Sequence, residues 1–340
     1  SLIHLASPRT TRFAWNTRHP GNLRANHTRI LDTYQLKLLH GALDCTIEEI
    51  SRVGERYVVR VSYVHADGEE EEIIYDRVIR CTGFRFDTSM FDPTCTPNLV
   101  INQRLPATTG MWESVNVPDL FFAGTIMQAR DFQRAGSAFI DGFRYNIRAL
   151  YHLLTERYHG ETLPYHCYST DVETLCQALF HRICRTSALW TQFGYLCDVL
   201  TVDEATGEIR HYEELPADYV RTESAFGQHD HYYTITFEWG PWDGDVFAIQ
   251  RHPNHETAYT NAFLHPIIRR YAGQTLIAEH HILEDLFGMY TYAGAADVYR
   301  TRSGRQVAQY HQEEHERPLR EFFTAQLCST NQPASAKVLA

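Results

Sequence analysis

Two glycine-containing segments carry the residues whose types and spacing are best suited to chemistry. An apolar run ends at Gly124 and Thr125, and a later amphipathic segment opens with Ala135, Gly136 and Ser137. A glycine lets a bound molecule approach the backbone closely because no side chain intervenes. A helix start made of small residues offers unpaired N–H groups and the positive end of the helix dipole. Such a start suits a phosphate or an electron-rich carbonyl.

Two further positions could contribute to the same kind of site. Thr82 and Gly83 follow the strand-like segment 77–81, where the backbone could pass close to a ligand, although many strands end at Thr-Gly only to turn. Asp131 lies between the two segments described above. It could accept a hydrogen bond from a ligand hydroxyl, and the alternative is an ordinary solvated loop aspartate.

Composition and charge exclude several classes of protein. The 340 residues carry a net charge of −11 with scattered basic residues, which argues against a surface for nucleic acid or anionic membrane. The eight cysteines include no Cys-x-x-Cys pair, which argues against a dithiol redox centre. No zinc-ligand spacing is present, so no metal site is predicted. No apolar run approaches the roughly 20 residues needed to cross a bilayer.

The spacing of apolar residues predicts the elements that must position these groups. Alternation of apolar and polar residues indicates strands, and apolar residues three and four apart indicate helices. The predicted strands are 1–6, 57–64, 72–76, 77–81, 120–124, 232–238 and 245–249. The predicted helices are 30–43, 135–156 and 171–200. Residues 57–64 and 72–76 flank Ala66-Asp67-Gly68, so together they predict a β-hairpin.

Gly160 and Pro164 indicate a linker, and we predict a domain boundary near residue 165. The first region is then 1–165 and the second is an α+β domain over 166–328. Residues 329–340 are small and polar, which is typical of a flexible tail.

Five short segments resemble a known family of flavoproteins. They are Leu31–Lys37, Tyr75–Cys81, Gly142–Tyr145, Phe263–Pro266 and His280–Asp285. These segments, and the order of the elements, resemble FAD-dependent oxidoreductases that include the endoplasmic reticulum flavoprotein associated with degradation. The resemblance covers roughly residues 12–290. It implies an α/β fold: a partial two-dinucleotide-binding-domain flavoprotein with a β-meander, followed by a smaller α+β domain.

The resemblance assigns contacts with FAD to the glycine-containing segments. The contacts implied are made by Thr82, Gly83, Gly124, Thr125, Ala135, Gly136 and Ser137. The Thr-Gly pair would adjoin FAD where the chain returns between domains, and the Gly-Thr pair would approach the ribityl and pyrophosphate groups. The small residues would face the pyrimidine edge, where a helix start stabilises the charge of a reduced flavin. Related flavoproteins carry an acidic residue where Thr125 stands, and Asp131 is the candidate substitute.

The resemblance also places the nicotinamide nucleotide at the start of the chain. Residues 1–12 would be the second strand of its domain and the following turn. Ser7, Arg9 and Arg12 would then meet a 2′-phosphate, whereas NADH binding would favour an acidic residue at this place. NADPH is therefore predicted, with NADH as the alternative, and two plain surface arginines are a near-even competing interpretation.

The resemblance implies that NADPH passes hydride to FAD and that the reduced flavin serves a disulfide or dioxygen, the latter in a monooxygenase-like reaction. It also implies the endoplasmic reticulum lumen and protein partners in degradation, although the chain shows no targeting or retention signal. Neither Gly-x-Gly-x-x-Gly loop is present, so we expect this fragment to be inactive by itself. No catalytic residue is identified. The alternative is a non-catalytic scaffold that binds a partner protein through residues 165–330.

Overall fold

The structure is a computed structural model. It describes residues 3–8, 41–203, 206–228, 231–241, 255–285, 290 and 312–328. The chain divides into two compact units, Ser1–Gly83 and Phe84–Ala340. Residue 165, where the sequence predicts a domain boundary, lies within the second unit, and the division at that point stays a prediction.

The first unit contains a four-stranded sheet in the order β1-β2-β3-β4. Its strands are β1 His4–Ser7, β2 Gly41–Val53, β3 Arg56–Tyr63 and β4 Glu70–Tyr75. β1 pairs with β2 in parallel, and β2, β3 and β4 form an antiparallel meander around buried Cys45, Val59 and Val61. Asp67 and Gly68 both take positive φ in the turn before β4, as tight hairpin turns require. The predicted hairpin and meander are confirmed.

Three other predictions for the first unit need correction. Residues 41–43 belong to β2 instead of ending a helix, and 30–40 lie outside the described residues. The predicted strand 77–81 is irregular and exposed, with Ile79 85% accessible, because no described strand lies beside it to pair with its backbone. β1 forms where expected, but Ile3 and Leu5 are largely exposed, so it is not a buried strand.

The second unit is built on a six-stranded antiparallel sheet in the order β12-β11-β10-β8-β9-β7. The strands are β7 Tyr165–Ser169, β8 Leu196–Asp203, β9 Glu208–Pro216, β10 Tyr232–Trp239, β11 Leu264–Ala272 and β12 Thr275–His281. A short hairpin, β5 Leu99–Val100 with β6 Leu105–Pro106, precedes the sheet. β8 and β10 are central and are buried along most of their length, which matches their content of branched and aromatic residues.

Helices cover this sheet and complete its core. They are α1 Ile140–His159, α2 Val172–Arg185, α3 Ser187–Thr191, α4 Ala217–Thr222 and α5 Gln312–Cys328. Three 3₁₀ turns are η1 Thr125–Ala129, η2 Ala225–Gln228 and η3 His255–Thr260. Leu153 of α1, Phe180 of α2 and Tyr232 of β10 belong to one buried apolar cluster. In the part of the chain described, no helix is both long and apolar enough to span a bilayer.

The predicted elements of the second unit are partly confirmed. Residues 120–124 form only a single bridge, between Phe121 and Glu113, because Gly124 turns into η1 at once. α1 begins at Ile140 instead of residue 135. The helical prediction over 171–200 holds for α2 and α3, whereas 196–200 lie in β8.

β10 contains the whole predicted strand 232–238, and it pairs with β8 and β11. Its expected partner, 245–249, lies outside the described residues. The mixture of sheets and helices is compatible with the α/β class. In the described residues, parallel pairing occurs only between β1 and β2.

Candidate functional site

At Gly124, on the surface of the second unit, the backbone has open space beside it. Its φ is +88°, and a Cβ added there would meet no atom of the described structure within 4 Å. The next residue, Thr125, is exposed, and its Oγ1 donates a hydrogen bond to the carbonyl oxygen of Ala138 at 2.7 Å. This hydrogen bond links Thr125 to the segment that leads into α1, so the backbone at Gly124 is accessible and held in place.

The start of α1 lies directly after this tethered segment. Phe139 occupies the N-cap position in an extended conformation, and no side chain caps the helix. Phe139 and Ile140 are 48% and 70% exposed, so two large apolar side chains lie side by side at the start of this 20-residue helix. An uncapped helix start beside exposed apolar side chains suits a planar group that carries negative charge on one edge.

Hydrogen bonds behind the surface hold the loop 131–138 against the core. Ser137, Asn146 and Gln192 are fully buried. Asn146 Nδ2 and Gln192 Nε2 donate to Ser137 Oγ at 2.8 and 3.0 Å, and Gln192 Nε2 also donates to Asn146 Oδ1 at 2.7 Å. The Gly136 N–H donates to Gln192 Oε1 at 2.8 Å and to the Thr191 carbonyl oxygen at 3.0 Å. The side chain of Gln192, which follows α3, thereby joins the loop 131–138 to α1.

Asp131 faces this buried network instead of the surface at Gly124. It is 3% exposed, and its Oδ2 accepts the Ser137 N–H at 3.2 Å. Its Oδ1 has no hydrogen-bond partner in the described part of the chain. Burial raises the pKa of Asp131 to about 6, because water is withheld from the charged form. By accepting this hydrogen bond, Asp131 fixes the position of the Ser137 backbone.

The predicted site residues fall into separate groups. Gly124, Thr125, Asp131 and the run 135–137 lie in one loop system of the second unit. The helix start is displaced from that run to Ile140, and the amides of Ala135, Gly136 and Ser137 are already engaged inside the protein.

The remaining predicted residues belong to the first unit. Thr82 and Gly83 are exposed there, with φ of +87° at Gly83, and Ser7 ends β1. Arg9 and Arg12 lie outside the described residues. The ligand contacts assigned to all these residues stay predictions.

The residues that support the loop were not among those predicted from the sequence. Asn146 lies on the buried side of α1, and Gln192 follows α3. Buried amides have no pattern of their own in a single sequence, since the same residues are common on surfaces. The signal that was present is Asn146 within an otherwise apolar stripe of the helix.

A second group that the sequence analysis missed is a buried ionic cluster between α2, β8 and β9. Arg182 Nε and Nη2 donate to Asp198 at 2.7 and 3.2 Å, and Nη2 also donates to Glu214 at 3.0 Å. His211 Nε2 lies 3.0 Å from Asp198 Oδ2. Burial alone would raise the pKa of Asp198, but the bonds from His211 and Arg182 lower it to about 2. The cluster therefore holds an ionised carboxylate inside the unit.

Comparison with known proteins identifies relatives that share most of this chain. FAD-dependent oxidoreductase domain-containing protein 2 of Mus musculus is 29% identical over 301 residues, and that of Danio rerio is 30% identical over 320 residues. Each alignment covers 80% of this chain, whereas it covers 45% of the mouse protein and 46% of the Danio rerio protein. The chain thus spans less than half the length of these relatives. No family model matches the chain. Over four-fifths of its length, the chain is similar to FAD-dependent oxidoreductase domain-containing protein 2 of two vertebrates.

Proposed function

We propose that this chain is part of an FAD-dependent oxidoreductase in which NADPH passes hydride to flavin and the reduced flavin serves a further acceptor. The observation that carries the proposal is the identity of about 30% to two FAD-dependent oxidoreductase domain-containing proteins over 80% of the chain. The chain contributes one wall of the cofactor site, formed by Gly124, Thr125 and the first turn of α1.

The residues at this wall fit a flavin nucleotide. Gly124 leaves the backbone open where a Cβ would otherwise occupy the space. The hydroxyl of Thr125 beside it donates to Ala138, so its oxygen is left to accept a hydrogen bond from a ligand. The uncapped start of α1 stabilises negative charge, and Phe139 and Ile140 offer apolar contact to a planar ring. When bound, FAD supplies a ring that accepts hydride from a nicotinamide.

In this proposal, the predicted site residues have different roles. Because their amides are engaged internally, Ala135, Gly136 and Ser137 support the wall from behind. Asp131 fixes the Ser137 amide, so it orients the loop instead of accepting a ribityl hydroxyl. Within the second unit, direct contact with FAD is left in this proposal to Gly124, Thr125 and the turn at Ile140.

The remaining parts of the proposal concern the partners of the flavin. NADPH is the proposed reductant because Ser7, Arg9 and Arg12 provide a hydroxyl and two cations for a 2′-phosphate. A disulfide or dioxygen is the proposed acceptor. From the resemblance alone, we also propose that the protein resides in the endoplasmic reticulum lumen and has partner proteins in protein degradation.

The test uses the longest natural protein that contains this chain. We expect the purified protein to retain FAD, with flavin absorption bands that bleach anaerobically on addition of NADPH and return with oxygen or a disulfide. A protein with no flavin would overturn the proposal. NADH bleaching the bands faster than NADPH would overturn the assignment of the reductant.

A scaffold that keeps flavin without turnover is the second candidate. The observation that favours it is that the two exposed cysteines among the described residues, Cys81 and Cys167, lie in different units, and the sequence contains no Cys-x-x-Cys pair. Bound flavin that neither NADPH nor NADH bleaches would support the scaffold and exclude hydride transfer.

A further inference from the structure

Three side chains at the β11–β12 edge form one continuous line of hydrogen bonds. His265 Nδ1 lies 2.7 Å from the carbonyl oxygen of Phe263, and its Nε2 lies 2.8 Å from His281 Nδ1. His281 Nε2 lies in turn 2.7 Å from Glu279 Oε1. The line runs from fully buried His265 through His281, 12% exposed, to Glu279, 32% exposed. Two of the sequence segments noted above, 263–266 and 280–285, meet here.

The three hydrogen bonds of this line determine how many hydrogens the two imidazole rings must carry. A carbonyl oxygen only accepts, so His265 Nδ1 must carry a hydrogen. A carboxylate also only accepts, so His281 Nε2 must carry one as well. The bond between the two rings needs a third hydrogen, on either His265 Nε2 or His281 Nδ1. Two neutral imidazoles supply only two hydrogens, so the pair must hold one extra proton for all three bonds to form.

The surrounding charges balance when that proton is present. Arg269 donates to Glu238 on β10, with Nη2 at 3.1 Å from Oε2, and its Nε donates to Glu279. One arginine and one imidazolium then face two carboxylates, which leaves no net charge in this partly buried group. Without the extra proton, a negative charge would be left over.

Neighbouring groups keep His265 neutral and Glu279 ionised. Burial lowers the pKa of His265, and positive charge on His281 lowers it further, so His265 stays neutral. Partial burial would raise the pKa of Glu279, but the bonds from His281 and Arg269 hold it below its usual range, so Glu279 stays ionised. On the other side lie His255 and His280, whose pKa values are both lowered by burial, so they add no competing positive charge near neutral pH.

We propose that His265, His281 and Glu279 form a single-proton site that locks β12 to β11 and senses pH. With one proton on His281, all three hydrogen bonds are made. When that proton is lost, one bond must break, since only two hydrogens remain for three acceptors. A second proton, on His265 Nε2, would place two hydrogens between the rings and would also break the line.

The direct test reads the protonation of both rings by nitrogen NMR of the ¹⁵N-labelled full chain, with peaks assigned from His265→Asn and His281→Asn variants. Near pH 6.5 we expect His281 to carry hydrogens on both nitrogens and His265 on Nδ1 alone. Two neutral rings, or two charged rings, would overturn the proposal. This readout needs only the folded wild-type chain, so it stands even if a variant folds poorly.

A matched pair of variants tests the role of the carboxylate. Glu279→Gln replaces a pure acceptor by an amide whose N–H can donate to His281 Nε2, so the line is satisfied with two neutral rings. His281 should therefore lose its second hydrogen in this variant at pH 6.5. Glu321→Gln makes the same charge change on an exposed position of α5 and should leave both rings as in the wild type.

The same variants separate a pH-sensitive lock from a static structural pair. As pH is raised and the shared proton is lost, the denaturation midpoint of wild type and Glu321→Gln should fall, because the unfolded chain makes no such bonds. Glu279→Gln should lack this part of the fall. An equal fall in all three proteins would overturn the lock.

Discussion

At the residue scale, Gly124 lies at the surface of the candidate site, whereas Asp131 is buried behind it. Gly124 presents open backbone in a left-handed conformation that side chains disfavour. Asp131 keeps a carboxylate where water scarcely reaches it, with one oxygen unsatisfied in the described part of the chain. Buried groups that lack partners weaken the fold, so a residue of this kind is retained at a cost in stability.

Asp131→Asn should change the pH dependence of stability. The folded-state pKa of about 6 lies above the unfolded value, so the native state is favoured by the proton at low pH and loses stability as pH rises from about 4 to 6. The loss amounts to roughly 3 kcal/mol, since each pKa unit corresponds to about 1.4 kcal/mol. The amide cannot ionise, so urea unfolding of the variant should lack this loss between pH 4 and 7.

Glu161→Gln is the matched control, because Glu161 is exposed after α1 and its replacement also removes one carboxylate. It should follow the wild-type profile. If Asp131→Asn and wild type had parallel stability profiles from pH 4 to 7, the inward-facing, protonatable Asp131 described above would be wrong.

Gln192→Leu should destabilise the second unit and loosen the loop 131–138. The substitution leaves buried Asn146 Oδ1 without its donor and removes one of the two donors to Ser137 Oγ, which costs about 2–3 kcal/mol in unfolding free energy. Urea denaturation measures this loss, and faster amide exchange at Ser137 would locate it. Gln177→Leu on the exposed face of α2 is the control and should change stability by less than about 0.5 kcal/mol.

At the element scale, the helix α1 and the strands β8 and β9 are held by polar contacts that apolar patterns do not reveal. Apolar spacing located α1 and α2, because each has a continuous buried stripe. It placed the start of α1 five residues early, since Ala135 to Phe139 extend the apolar run while their backbone turns to meet Gln192 and Thr191.

The same reasoning explains the predicted strands that failed. Residues 77–81 have a strand-like composition, but a strand needs a neighbour, and the pairing of distant segments is not encoded in local spacing. The hairpin of β3 and β4 was predictable because Ala66-Asp67-Gly68 specifies the turn and therefore the register. Local signals were thus sufficient for the meander and insufficient for the sheet of the second unit.

Arg182→Met should weaken the junction of α2 with β8 and β9. Removal of the guanidinium leaves Asp198 buried and ionised without its main partner, and breaking a buried pair costs about 3–5 kcal/mol. Thermal unfolding should show a large fall in the transition temperature. Arg185→Met, one turn later on the exposed face of α2, should change it little.

The pH profile adds a second check on this junction. The lowered pKa of Asp198 contributes stability that is present above about pH 4 and lost as pH falls toward 2. Arg182→Met should reduce this acid-dependent part. A variant as stable as Arg185→Met at pH 7 would show that the cluster does not join these elements.

At the scale of the whole molecule, two compact units carry different parts of the proposed function. The first contains the meander with Thr82 and Gly83 near its end, and the second contains the wall at Gly124 and the single-proton site at β11–β12. The sequence led to the glycine positions because such residues are few and their chemistry is local. It did not lead to Asn146, Gln192 or the paired histidines as partners, because those contacts join residues 16 to 55 positions apart.

The central claim, that Gly124 and the start of α1 form a wall of the flavin site, is tested most directly by FAD content. Gly124→Ala places a Cβ in the open space beside the Gly124 backbone. Gly160→Ala is its control, since Gly160 ends α1 with φ of +68° and an added Cβ there would also meet no atom within 4 Å. Gly160→Ala should lose about 1–2 kcal/mol of stability, because its backbone is in the left-handed helical conformation. Gly124→Ala should lose about 1–3 kcal/mol, because φ of +88° with ψ of −150° is a conformation that essentially only glycine adopts. In the longest natural protein that contains this chain, we predict that Gly124→Ala purifies with at least tenfold less FAD per chain than wild type, whereas Gly160→Ala keeps the wild-type content. Equal FAD content in the two variants would contradict the claim.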